Sequence, residues 1–197
     1  MKRFSVAGAV LLGLIVFSAA AVAQPFEMML KSQLPDGTDS LHVKGELPSQ
    51  AGWRPVSWVQ TDNYLTLFNT KFPSVRIYLK RIKLPTESAE ALTAKDFVDK
   101  NLRPMLKKTQ INSGPPGYDP TFEVVSEQDA KVGADSLPGY VAEYSYDNPN
   151  EEMLAARYYV VKVGDDLHMA TFTGNMDEFK ALKPQFEAFL GTVKFLE

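Results

Sequence analysis

Histidine is the side chain best suited to moving protons near neutral pH, and it occurs twice, at His42 and His168. His168 follows Asp165 and Asp166 closely. Such a group could hold a metal ion or do acid–base chemistry only if its side chains converged. Gly164-Asp165-Asp166 reads more simply as a hairpin turn, which leaves His168 at an exposed or half-buried strand position. Glu143, Glu151 and Glu152 are further carboxylates. A glycosidase pair needs two such groups facing a cleft at a defined separation, whereas Glu151-Glu152 follows a turn and reads as solvated. The chain has no cysteine, which excludes a thiol nucleophile, cysteine zinc sites and thiol redox work. It carries no GxSxG element, no glycine-rich phosphate loop and no His-rich zinc motif. The expectation is a chain without catalytic, metal-binding or cofactor-binding residues, and so not an enzyme.

Two other groups suit binding. Lys71, Arg76, Lys80, Arg81 and Lys83 make a basic stripe along one expected strand. The stripe fits protection of an edge strand by charge. It also fits contact with an acidic partner or anionic lipid heads. Tyr140, Tyr144, Tyr146, Tyr158 and Tyr159 cluster in sequence, and Tyr favours interfaces when part of it stays exposed. The expected partner contacts are Arg76, Lys80, Arg81 and Tyr144. Trp53 and Trp58 read as caps on a core.

A sheet must position these residues. Residues 136–173 alternate with a period of two and read as three consecutive antiparallel strands. Tyr140, Ala142, Tyr144 and Tyr146 share one face of the first. The second, over 154–163, is apolar on both faces, which predicts cover on two sides. Residues 75–84 alternate cleanly, with Val75, Ile77 and Leu79 opposite Arg76, Tyr78 and Lys80. Thr93 with Asp96 predicts a capping box. The helix after it carries Phe97, Val98, Leu102, Met105 and Leu106, and Pro104 is expected to kink it or end it near Leu102. Residues 122–126 read as a strand with Phe122, Val124 and Ser126 on one side, and 130–135 as a connection. A second helix spans 176–192, and 194–196 closes as a short strand. Near the start, Phe26, Met29 and Leu30 suit one helical turn, and 56–60 suits a strand. The order predicts an α+β fold with an antiparallel sheet.

The first residues form a separate object. Lys2 and Arg3 precede an apolar run over 6–17 and the small-residue pattern Ala21-Val22-Ala23. The pattern predicts a secretory signal peptide over 1–23, cleaved after Ala23, and hence a periplasmic or extracellular location. An N-terminal arm over 24–50 and one domain over 51–197 follow. Removing 1–23 takes away two basic residues and no acidic ones, so the formal charge moves from −3 to −5. That mild acidity argues against nucleic acid as a partner.

The runs EQDAKVGADSLPGYVAEYSY from Glu127 to Tyr146, Arg157-Tyr158-Tyr159-Val160-Val161, Gly164-Asp165-Asp166-Leu167 and Met169-Ala170-Thr171-Phe172-Thr173 resemble PsbP-like domains, nearest to the bacterial DcrB-like exported ones. The phenylalanine-rich helix over 179–190 and Phe195 extend the resemblance. It implies an α/β/α sandwich whose central antiparallel sheet is flanked by helices. It also implies non-enzymatic binding or assembly roles, as in a photosystem II extrinsic subunit, a Ran-binding nuclear factor and envelope proteins. Nothing here matches the metal-associated sites of the plant photosynthetic branch. The expected function is that of an exported, soluble, non-catalytic accessory protein that binds an envelope protein or an anionic lipid surface. The alternatives are a small-ligand or lipid-binding module with a pocket between sheet and helix and, last, a hydrolase.

Overall fold

The computed structural model describes residues 25–31, 40–46, 52–55, 64–84, 92–150 and 152–196. The expected signal peptide and the strand over 56–60 lie outside them. Strands β1 (Pro25–Lys31), β2 (Ser40–Glu46) and β10 (Lys194–Leu196) form a three-stranded antiparallel sheet in the order β1-β2-β10. A seven-stranded antiparallel sheet takes β3 (Trp53–Pro55), β4 (Tyr64–Asn69), β5 (Arg76–Ile82), β6 (Phe122–Val132), β7 (Leu137–Asp147), β8 (Met153–Val163) and β9 (Asp166–Asn175). Its order is β3-β4-β5-β9-β8-β7-β6. Helix α1 (Ala94–Phe97), a π turn (Val98–Leu102) and α2 (Arg103–Ser113) cover one face, and α3 (Met176–Leu190) covers the other. The fold class is α+β, as expected.

The meander is β7-β8-β9. A two-residue loop joins β8 to β9, with Val163 opposite Asp166 and Gly164 at φ +57°. Hairpin loops this short need a positive φ, which Gly adopts without strain. Tyr140, Ala142, Tyr144 and Tyr146 face the α1–α2 layer, where they pack with Val98 and Leu102. On β8, Ala156, Tyr158 and Val160 join that core, while Ala155, Tyr159 and Val161 join the core under α3. The predicted cover on both faces is therefore present. Phe172 of β9 stacks on Phe179 and Phe186 of α3, with ring centroids 4.8 and 4.9 Å apart. Each buried aromatic of this kind contributes roughly 1.5–3 kcal/mol.

Thr93 caps α1: the Asp96 amide donates to its Oγ1 at 3.0 Å, and its hydroxyl donates to the Asp96 carboxylate at 2.6 Å. Pro104 does not end the helical segment. In an unbroken α-helix its ring would strike the carbonyl four residues back. The π turn relieves that clash, with the Arg103 amide donating to the Val98 carbonyl, and Pro104 falls in the first turn of α2.

Three local expectations change. Phe26, Met29 and Leu30 lie in strand β1, paired with β2, and not in a helical turn. Strand β6 runs on to Val132, through residues expected to be a connection. It also carries a bulge between Val124 and Ser126. A bulge inserts one residue and reverses the alternation beyond it. Phe122 and Val124 therefore face the helices opposite Tyr146 and Tyr144, but Ser126 sits opposite Glu143 on the other face.

Candidate functional site

Strand β5 pairs with β4 on one side and β9 on the other. The expected edge strand is thus an interior one, and its basic residues do not guard an edge. Val75, Ile77 and Leu79 are buried in the core beneath α3. The alternation sends Arg76, Tyr78 and Lys80 to the opposite face. Register aligns them in rows: Phe68–Arg76–Thr173, then Thr66–Tyr78–Thr171, then Lys80–Met169.

The α1–α2 layer packs on β7 and β8 of this face. Among the described residues, no helix makes its main contacts with β4 or β5 there. Lys80 is exposed, Phe68, Arg76 and Tyr78 are half-buried, and Thr66 and Thr171 are buried at the foot of the side chains. Arg76 is held in place. Its Nη1 donates to the Val75 carbonyl at 2.8 Å and also to the Pro73 carbonyl, and its guanidinium carbon lies 6.0 Å from the Phe68 ring centre. A cation over an aromatic face gains about 0.5–1 kcal/mol at an exposed site. The result is a basic, aromatic strip with a preset guanidinium, suited to receive negative charge.

Arg81 and Tyr144 do not join the strip. Arg81 faces the other side of the sheet. Its Nε donates to Asp166 Oδ2 at 2.7 Å and its Nη2 lies 2.6 Å from the same oxygen. The Leu84 amide donates to Asp166 Oδ1 at 3.2 Å. Tyr144 shares a face with Arg76, but the helices cover it completely, at 0% exposure. Its hydroxyl donates to Glu127 at 2.7 Å, and burial pushes its pKa well above the usual phenol range. A partner cannot reach Tyr144, so its place among the expected contacts is corrected.

His168 also differs from expectation. It is 1% exposed, and its ring meets Phe195 of β10 edge-on with centroids 5.5 Å apart. Burial and the nearby Arg81 guanidinium push its pKa down to about 4, against an opposing pull from Asp166. Asp165 is exposed on the turn, and Asp166 is committed to Arg81. Among the described residues, no three His or carboxylate side chains stand together so as to hold a metal ion.

Glu143, 8% exposed, belongs to an ion cluster between the sheet and α3. Lys183 Nζ donates to its Oε2 at 2.7 Å, and Arg157 Nη1 donates to the same oxygen. Arg157 Nε donates to the Tyr159 hydroxyl at 2.9 Å. Burial pushes the Glu143 carboxyl up, but the Lys183 and Arg157 hydrogen bonds outweigh it and hold the pKa below the usual range. Sequence reasoning missed this cluster. One signal was available: the turn after Asp147 sets the β7–β8 register, and that register places Glu143 opposite Arg157.

No protein-family model matches the sequence, and no curated protein matches it. Solved structures do share its shape. Cyanobacterial PsbP (CyanoP) from Synechocystis superposes with a TM-score of 0.55 at 15% identity, covering 94% of this chain and 99% of that one. LpqN of Mycobacterium tuberculosis, involved in cell envelope biogenesis, does so at 0.52 with 11% identity, covering 88% and 92%. At such identities the likeness speaks for fold alone: the chain has a PsbP-like fold.

Proposed function

We propose that this chain is an exported, non-catalytic accessory protein that binds a macromolecular partner in the cell envelope through the strip formed by Phe68, Arg76, Tyr78 and Lys80. The observation that carries the proposal is the pairing of β5 on both sides while its polar face lacks a helix among the described residues. Interior strands of an α/β/α sandwich normally have both faces covered. Here the half-covered face presents a fixed guanidinium and a tyrosine, side chains enriched at protein interfaces, with a lysine beside them.

Export is supported by the basic start, apolar run and Ala21-Val22-Ala23 of the sequence. The fold likeness to LpqN agrees with an envelope setting. Of the two partner types, a protein fits better than an anionic membrane. The whole chain carries net negative charge, which a uniformly anionic surface repels, whereas an acidic patch on a protein meets only the local strip.

The test is salt-dependent co-sedimentation with the envelope fraction, comparing the wild type with Arg76→Gln/Lys80→Gln. Wild-type binding should weaken as salt rises, and the double variant should bind at least about tenfold less at low salt. Equal binding by both would refute the proposal.

A further inference from the structure

Among the described residues, His168 Nδ1 is the buried side-chain nitrogen or oxygen with no hydrogen-bond partner. The ring lies where the two sheets meet. Across it on β5 is Arg81, and across it on β8 is Val161. Above it, Phe195 of β10 pairs with Val43 of β2, and both belong to the buried core. The imidazole thus fills the seam between the seven-stranded sheet and the three-stranded one as an apolar body.

Among the described residues, the charges around the seam leave no uncommitted counter-ion for an imidazolium. On β5 the neighbour is Arg81, itself a cation. On β9 it is Asp166, whose Oδ2 takes Arg81 and whose Oδ1 takes the Leu84 amide. On β10, Lys194 turns to Asp135 at 3.0 Å, and Lys44 of β2, opposite it in register, is exposed. A proton on His168 would therefore put a buried cation beside the half-buried Arg81. Phe195 stands against the ring, so moving it away would let water reach that charge.

The two sheets differ in how firmly each is held. Strand β10 has three residues and, among the described strands, pairs with β2 alone. By contrast, β9 is paired along its length with β5 and β8. We propose that His168 is an acid-operated latch, whose protonation releases the β1-β2-β10 sheet from the seven-stranded sheet while the latter stays folded. In acid the protein would then present an apolar surface around Val43 and Phe195 that is sealed at neutral pH.

Amide hydrogen exchange on protein purified from the producing cell tests this. Between about pH 7 and about pH 4.5, protection at Val43 and Phe195, corrected for intrinsic rate, should fall tenfold to roughly a hundredfold. Protection at Val160 and Phe172 should hold. His168→Leu should keep Val43 and Phe195 protected across the range. Arg81→Met, which frees Asp166 to pair with the imidazolium, should do the same and decides the matter if the first variant does not fold. Constant protection at Val43 and Phe195 in the wild type would overturn the latch. So would a fall in step with Val160 and Phe172, or an undiminished fall in the variants.

Discussion

Arg103 grips Glu127 across the boundary between helix and sheet, its Nε donating to Oε1 at 3.0 Å, and the Tyr144 hydroxyl donates to the same oxygen at 2.7 Å. A second Arg103 nitrogen, Nη2, reaches Glu127 Oε2 and also Asp99 Oδ1, the latter at 2.6 Å. The group ties α2 to the outermost strand β6 and to the buried centre of β7. Glu127 can take part only because the bulge after Val124 turns it to the helix face, opposite Ala142.

Arg103→Met should therefore destabilise the fold by about 2 kcal/mol, because it strands a carboxylate that is mostly shielded from water. Tyr144→Phe, which loses one hydrogen bond but keeps the packing, should cost about 1 kcal/mol. Urea unfolding midpoints measure both. Equal midpoints for wild type and Arg103→Met would mean that the contact contributes nothing to holding α2.

Stability should fall in acid in two stages with different owners. The folded pKa of His168 lies near 4, below its ordinary value near 6.5. The unfolded state then binds the proton first, so stability is lost as pH drops through that window, by on the order of 3 kcal/mol in all. The folded pKa of Glu143 also lies below its ordinary range. Its contribution is present above the unfolded value near 4.5 and is lost as pH falls through the folded value. In His168→Leu the decline should begin only near the carboxylate range. A pH series of urea midpoints separates the stages, and an unchanged onset in that variant would assign the first stage to another group.

Gly133 sits in the turn between β6 and β7 at φ +74°, and a Cβ there would lie 2.6 Å from the Val193 carbonyl oxygen. That same oxygen accepts from the Ala134 amide at 2.8 Å, which fastens the turn to the chain leading into β10. Gly133→Ala should lower stability by roughly 1–3 kcal/mol. A thermal melt within error of the wild type would contradict the strain argument.

The meander, the Thr93 cap, the apolar face of α3 and the closing strand were legible in the sequence, because each rests on local periodicity or on a cap a few residues long. What was not legible depends on distant partners. Alternation in 75–84 shows that Arg76 and Lys80 share a face, but not that β9, some ninety residues later, pairs with β5 and removes its edge. His168 looks like an ordinary half-exposed strand residue until β10, at the far end of the chain, lays Phe195 over it. Tyr144 looks available until the helical segment around Val98 and Leu102 covers it. The bulge at Val125 leaves no mark in the composition of β6, and one inserted residue moved Ser126 to the wrong face.

The most direct test of partner binding at the strip is to place a photo-crosslinking amino acid at single positions in the protein as the producing cell makes it. Tyr78, at the centre of the strip, is one position. Lys180, exposed on α3 on the opposite side of the sheet, is the other. Irradiation should give a discrete higher-mass adduct from position 78 that disappears when Arg76 and Lys80 are both Gln, and none from position 180. Adducts from position 180 but not 78, or an adduct at 78 indifferent to the loss of both cations, would contradict partner binding through this face.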